Sequence, residues 1–159
     1  MRVFHSLPRF SEDLDFALIQ PDNRFDLTPY LQTVTLELTA YGYAFEIDDR
    51  SKAGLAVQKA FLKDDSVGKL LRLDYRPRTG PMRKLRVKLE VDTNPPEGAQ
   101  YEVRTLDFPF PSPVRVHDLP SLFAGKLHAL LCREYMKGRD WYDFIWYTAN
   151  RTPVNYELL

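Results

Sequence analysis

The most regular alternation of apolar and polar residues runs from Leu85 to Asp92. Leu85, Val87, Leu89 and Val91 take one side; Arg86, Lys88, Glu90 and Asp92 take the other. A period of two is that of a half-buried β-strand. Shorter runs predict strands at Leu14–Ile19, Tyr43–Asp48, Leu55–Leu62, Leu70–Tyr75, Tyr101–Leu106 and Val114–Val116. Asp48-Asp49-Arg50-Ser51 reads as a turn, and Arg76-Pro77-Arg78-Thr79-Gly80-Pro81 as a loop. The period changes at Leu27, Leu31, Val34, Leu38 and Tyr41, which recur at three- and four-residue steps and predict an amphipathic helix. Asp26 or Thr28 is its cap, Pro29 suits its first turn, and Gly42 closes it. Leu119, Leu122, Phe123, Leu127, Leu130 and Leu131 predict a second helix, capped by Asp118, running to Lys137 and stopped at Gly138. Asp140 is then the expected cap of a last helix from Trp141 to Ala149.

This order gives an α+β fold, with a mixed, mostly antiparallel sheet, flanking helices and a helical C-terminal part. At 159 residues the chain suits one domain of ~100–150 residues, with a core over 7–117 and a helical part over 118–159. Hydrophobic residues at 44% and charged residues at 28% are ordinary globular usage. Lys+Arg and Asp+Glu are 22 each, which excludes a whole-protein basic field for nucleic acid and leaves room only for a local patch. The lone cysteine, Cys132, excludes a disulfide framework within the chain and reads as a small buried filler. No apolar run approaches the ~20 residues of a membrane span, and Met1–Pro8 is too short and polar for a signal peptide. A soluble cytoplasmic protein is the expectation.

Several groups of residues can carry chemistry. In Arg9-Phe10-Ser11-Glu12-Asp13-Leu14-Asp15-Phe16, Asp13 and Asp15 face one side of an extended chain, roughly 6–7 Å apart at the backbone. Two such carboxylates suit a hard divalent cation, and a solvated strand end has the same pattern. Leu14 and Phe16 are bulk that belongs in a core, where a neighbouring carboxylate needs a partner or a metal. Glu90, with Asp92 behind it, can add the third carboxylate of a metal site for phosphoryl or nucleotidyl transfer; the exposed face of an edge strand, with Lys88 pairing to Glu90, is the plain alternative.

Lys126, Arg133 and Lys137, seven and eleven residues apart, align on one helix face and can hold a triphosphate or simply face solvent. Arg139-Asp140-Trp141-Tyr142-Asp143 offers a phosphate-binding arginine and a catalytic acid, or a helix start with Asp140 as cap and Asp143 in the first turn. Arg72, Arg76, Arg78, Arg83, Lys84, Arg86 and Lys88 form a basic stripe that can track a nucleic-acid backbone or be a solvated surface. His5, His117 and His128 are not spaced as a metal site, and there is no Gly-x-Gly-x-x-Gly or P-loop.

The order of these elements is more specific than any one of them. Arg9-Phe-Ser11-Glu-Asp13-Leu-Asp15-Phe, Lys88-Leu-Glu90-Val, Lys126-Leu-His-Ala-Leu-Leu-Cys-Arg133 and Arg139-Asp140-Trp-Tyr142-Asp143 resemble the AbiEii/AbiGii toxin family, nucleotidyltransferase-like proteins of abortive-infection and type IV toxin–antitoxin systems. The resemblance spans Leu7 to about Pro153. It implies Asp13, Asp15 and Glu90 as ligands of Mg²⁺ (or Mn²⁺) and as catalytic residues. Ser11 and Arg9 would line the nucleotide pocket, and Lys126 would contact the triphosphate or assist catalysis. Arg133 would bind nucleotide, and Arg139 and Asp140 would match the family's helical Arg-Asp element, with Asp140 catalytic. The implied partners are a nucleoside triphosphate, an RNA acceptor such as a tRNA end or else a protein hydroxyl, and a cognate antitoxin; no membrane is implied.

The Gly-Gly or Gly-Ser turn that family members carry before the first motif is not in this sequence, and further C-terminal helices are expected beyond Leu159. The expectation is a chain truncated at both ends. The alternative to an enzyme is therefore an inactive relative that binds an antitoxin or nucleic acid. A third option is a nucleotidyltransferase acting on a small molecule such as an aminoglycoside.

Overall fold

The computed structural model describes residues 2–11, 13–48, 66–75, 83–135 and 137–159. In chain order the elements are α1 (Arg2–His5), β1 (Asp13–Ala17), α2 (Thr28–Ala40), β2 (Ala44–Asp48), β3 (Ser66–Tyr75), β4 (Arg83–Asp92), β5 (Tyr101–Leu106), β6 (Ser112–His117), α3 (Leu119–Cys132) and α4 (Gly138–Ala149). The α+β class expected from the sequence is the one observed. Among the described residues no helix is long and apolar enough to cross a membrane. The chain forms two compact units, Ser11–Pro95, and Met1–Phe10 with Pro96–Leu159.

In the Ser11–Pro95 unit the strand order is β1-β4-β3-β2. The β1–β4 pair is parallel; β4–β3 and β3–β2 are antiparallel. The alternation in β4 does what it predicts. Leu89 and Val91 are buried with Leu71 of β3 and with Leu27 and Leu31 at the start of α2, while Leu18, Phe25 and Val87 pack against this cluster. Each such buried side chain stabilises by roughly 1.5–3 kcal/mol. α2 has Pro29 in its first turn; its cap position is Leu27, without a side-chain cap, so neither Asp26 nor Thr28 caps it, and the Asp26 carboxylate accepts instead from the N–H of the first helical residue, Thr28, at 2.9 Å. Its end is a glycine stop: Gly42 has φ +81, Gly42 N donates to Thr39 O and Tyr43 N to Leu38 O.

Leu14 and Phe16 depart from expectation. They lie on the outermost strand in the sheet order and are 45% and 53% exposed, so they are not core residues. The expected strand at Leu55–Leu62 and the loop at 76–81 lie outside the described residues.

In the other unit β5 and β6 form an antiparallel hairpin, from Tyr101 opposite His117 to Leu106 opposite Ser112. The side chain of His5 of α1 is 5% exposed, with Nε2 3.9 Å from Glu102 Oε1 of this hairpin and no hydrogen-bond partner for that nitrogen among the described residues. Asp118 caps α3 as expected, its carboxylate accepting from Ser121 N at 2.9 Å. Phe123 of α3 and Tyr147 of α4 stack at 4.7 Å and 13° and are both buried. Asn155 Nδ2 donates to Gly98 O at 2.8 Å and to Ser121 Oγ at 3.0 Å, fixing the C-terminal tail. Gly98, at φ +85, admits that tail closely: a Cβ there would meet Glu157 O at 3.0 Å.

The helix ends were misread in sequence. α3 stops at Cys132, and Arg133 is already extended at φ −82, ψ 133. Gly138 opens α4 instead of closing α3, so Lys137 is the residue before α4 and not part of a row along α3. Asp140 is not the cap; it sits inside the first turn of α4, its N–H donating to Lys137 O at 2.8 Å. Cys132 is exposed, because the chain leaves the helix immediately after it.

Candidate active site

The parallel pairing of β1 with β4 decides where the acidic residues of the Ser11–Pro95 unit fall. Asp13 stands opposite Lys88, Asp15 opposite Glu90, and Ala17 opposite Asp92. Opposed residues on neighbouring strands about 4.8 Å apart send their side chains to the same face. Asp13, Asp15, Lys88, Glu90 and Asp92 therefore share the face opposite to Leu89 and Val91, whose side chains fill the core. Glu90's partner on the β3 side is Gly68. Ser11 is exposed just ahead of β1. Lys88 Nζ donates to Glu90 Oε2 at 2.5 Å, the same-face ion pair that two-residue spacing on a strand permits.

The donor chemistry of this face, carboxylate oxygens only, fits a hard divalent cation. Among the described residues no three His, Cys, Asp or Glu side chains come close enough together to hold one. The register brings these acids to one face without gathering them around one point, and Lys88 is paired with Glu90.

The second concentration of charge lies within the unit formed by Met1–Phe10 and Pro96–Leu159. Asp140 and Asp143, one helical turn apart on α4, are each 1% exposed. Carboxylates so far from water need cations, because an unpaired buried charge costs several kcal/mol. Three are supplied. Arg9 lays its guanidinium fork on Asp143, Nε to Oδ1 at 2.5 Å and Nη2 to Oδ2 at 2.7 Å. Lys126 Nζ donates to Asp140 Oδ1 at 2.8 Å and lies 3.0 Å from Asp143 Oδ2, bridging the two acids. Arg133 Nη1 donates to Asp140 Oδ2 at 2.9 Å.

Burial works to raise the pKa of Asp140. The hydrogen bond from Lys126 and the charges of Lys126, Arg133 and Arg139 outweigh it and hold that carboxyl below the ordinary range. Burial likewise opposes ionisation of Asp143, and the hydrogen bonds from Arg9 and Lys126 bring it below the ordinary value. The same hydrogen bond raises the pKa of Arg9. Tyr147, buried beside this group, has its phenol pKa raised by burial and then by the charge of Asp143.

The structure brings Asp13, Asp15 and Glu90 to one sheet face, and gathers Arg9, Lys126, Arg133 and Asp140 into one ionic network. Lys126 and Arg133 do converge, as their seven-residue spacing suggests, but onto Asp140, one on each oxygen. Arg139 is exposed and contributes its charge to Asp140. Of the basic stripe, Arg76 and Arg78 lie outside the described residues; Arg72, Arg83, Lys84 and Arg86 fall in β3 and β4.

Sequence reasoning treated Asp143 only as first-turn charge and missed it as the partner of Arg9. The available signal was the Asp140/Asp143 pair at three-residue spacing in a helix otherwise rich in Trp, Tyr, Phe and Ile, where an acid needs a partner.

The sequence model of the family described as nucleotidyl transferase AbiEii toxin, type IV toxin–antitoxin system, matches residues 1–159. No curated protein and no solved structure matches the chain significantly.

Proposed function

Because the chain belongs to the AbiEii nucleotidyl transferase toxin family, we propose that it transfers a nucleotide from a nucleoside triphosphate to a hydroxyl of RNA, such as a tRNA end, or of a protein. The family is one of toxins from type IV toxin–antitoxin systems, so a nucleotide substrate and an antitoxin partner go with it. The observation that carries the catalytic reading is the register of Asp15 against Glu90, with Asp13 on the same face.

Asp13, Asp15 and Glu90 would hold Mg²⁺ or Mn²⁺, which supplies neutralisation of charge at the α-phosphate. A carboxylate of this face orients the acceptor hydroxyl and takes its proton. The acceptor oxygen bonds to the α-phosphorus, the bond from that phosphorus to the α–β bridging oxygen breaks, and pyrophosphate leaves. Ser11 and Arg9 hold the nucleotide. Lys126, Arg133 and Arg139 hold phosphate oxygens, Lys as a point charge and Arg as a fork. Asp140, held ionised, serves by fixing Lys126 and Arg133 and not by giving up a proton.

A second reading is favoured by the Lys88–Glu90 ion pair, which occupies one of the three carboxylates. On that reading the chain is an inactive relative that binds an antitoxin or nucleic acid. Calorimetry with a triphosphate and Mg²⁺ separates the two: heat of binding supports the enzyme, and none from a folded sample supports the binding module. The enzymatic reading itself is tested by incubating each α-labelled triphosphate with total RNA. Label transferred equally by wild type and Asp15→Asn refutes it.

A further inference from the structure

The ionic network on α4 is uneven between its acids and its cations. Its two acids are buried, whereas its three cations reach toward solvent: the side chains of Arg9, Lys126 and Arg133 are 23%, 21% and 40% exposed. Three positive groups on two negative ones leave an excess of positive charge on the solvent side. Donors are also left over. An ammonium has three N–H bonds, and two from Lys126 are accounted for by Asp140 and Asp143. A guanidinium has five; Arg9 spends two on Asp143 and one on Phe10 O at 3.1 Å.

Asp143 is the acid that meets both of the long cations Arg9 and Lys126, sharing Lys126 with Asp140. Its Oδ1 takes Arg9, and its Oδ2 takes Arg9 and lies within ion-pair distance of Lys126. Arg9 lies far from α4 in sequence, in the segment before β1; among the described residues its guanidinium otherwise donates to Phe10 O, and Tyr142 of α4 donates to the neighbouring Pro8 O at 3.3 Å. Pre-organising two long side chains removes the rotamer entropy that a bound anion would otherwise have to overcome.

We propose that Asp143 is a positioning residue: it locks Arg9 and Lys126 into one fixed pair of donors for a polyphosphate. This rests on the nucleotidyl-transfer reading for its biological meaning, but not for its test. Asp143 does not touch the anion; it acts through Arg9 and Lys126.

The probe is inorganic tripolyphosphate, titrated calorimetrically into wild type, Asp143→Asn, Arg9→Gln and the double variant, each checked for cooperative melting. Wild type binds, and Asp143→Asn binds about tenfold more weakly, mainly through a less favourable entropy. In the double variant the losses do not add, because Arg9 and Asp143 act as one unit. Should Asp143→Asn not fold, Arg9→Lys keeps the charge but cannot form the fork on Asp143, and it weakens binding by a similar factor.

Absence of binding to wild type, an affinity unchanged in Asp143→Asn and Arg9→Lys, or additive losses in the double variant each overturn the proposal. If tripolyphosphate binding depends on Asp143 while wild type transfers no nucleotide to any acceptor, the transfer reading fails and this one stands.

Discussion

Asp15 and Glu90 stand directly opposite one another across the parallel pair of β1 and β4. Nothing in either segment alone places them together; the pairing of an outer strand with a strand far along the chain does. The same register sets Lys88 opposite Asp13, and Lys88 turns along its own strand to Glu90. The acidic face therefore carries its own cation.

A lysine on a carboxylate competes with any metal for it. Lys88→Met is expected to raise the affinity of the protein for Mn²⁺ by about fivefold, corresponding to about 1 kcal/mol for removing one partly screened charge. Paramagnetic resonance of free Mn²⁺ during a titration measures this. An affinity that is unchanged or lower would show that Glu90 is not part of a cation site.

The buried network predicts unequal costs for its cations. Lys126→Met leaves both Asp140 and Asp143 short of a partner and is expected to cost about 3–5 kcal/mol in urea denaturation. Arg133→Met removes a more exposed group that meets Asp140 alone, so it is expected to cost about 1 kcal/mol or less. Equal losses would contradict the placement of Lys126 between the two acids.

Stability should fall with acid in two stages. His5 has its pKa lowered, by burial first and then by the charge of Arg104, with Glu102 acting the other way. Its folded pKa lies below its unfolded one, so the unfolded state binds the proton first. Its contribution is complete above about pH 6.5 and is lost as pH falls below that through the folded value. Asp140 and Asp143 also have lowered pKa values, so theirs is complete above about pH 3.9 and is lost below it. Melting temperature followed against pH checks both windows, and His5→Gln should flatten the first while leaving the second.

Periodicity made some parts legible and not others. β4 was readable because a period of two survives on a strand with one buried face; β5 occupies Tyr101–Leu106 as expected, although its Val103 is exposed. α2 was readable from its three- and four-residue steps, and Gly42 from its role as a stop. Gly138 misled because a glycine after an apolar helix usually ends it, whereas the chain had already left α3 at Arg133. Leu14 and Phe16 misled because apolar residues on an outermost strand need not be covered.

The acids of the sheet face could be named from sequence, but their apposition depends on a parallel pairing that local pattern does not encode. Asp143 escaped notice because a helix expected to start at Trp141 puts it in the first turn, where an acid already has an ordinary explanation; the helix starts at Gly138, so Asp143 lies a turn further in, and only the fold shows Arg9 arriving to meet it.

The central claim is that the face shared by Asp13, Asp15 and Glu90 performs nucleotidyl transfer. Its most direct test is the rate of pyrophosphate release from a nucleoside triphosphate, with Mg²⁺ and total RNA present, for wild type, Asp15→Asn and Glu90→Gln. Asp15 is exposed and Asn keeps its size, so Asp15→Asn should leave the protein folded. The account predicts release by wild type and a drop of at least about a hundredfold in both variants, each still folded. Release at the wild-type rate from either folded variant would contradict it.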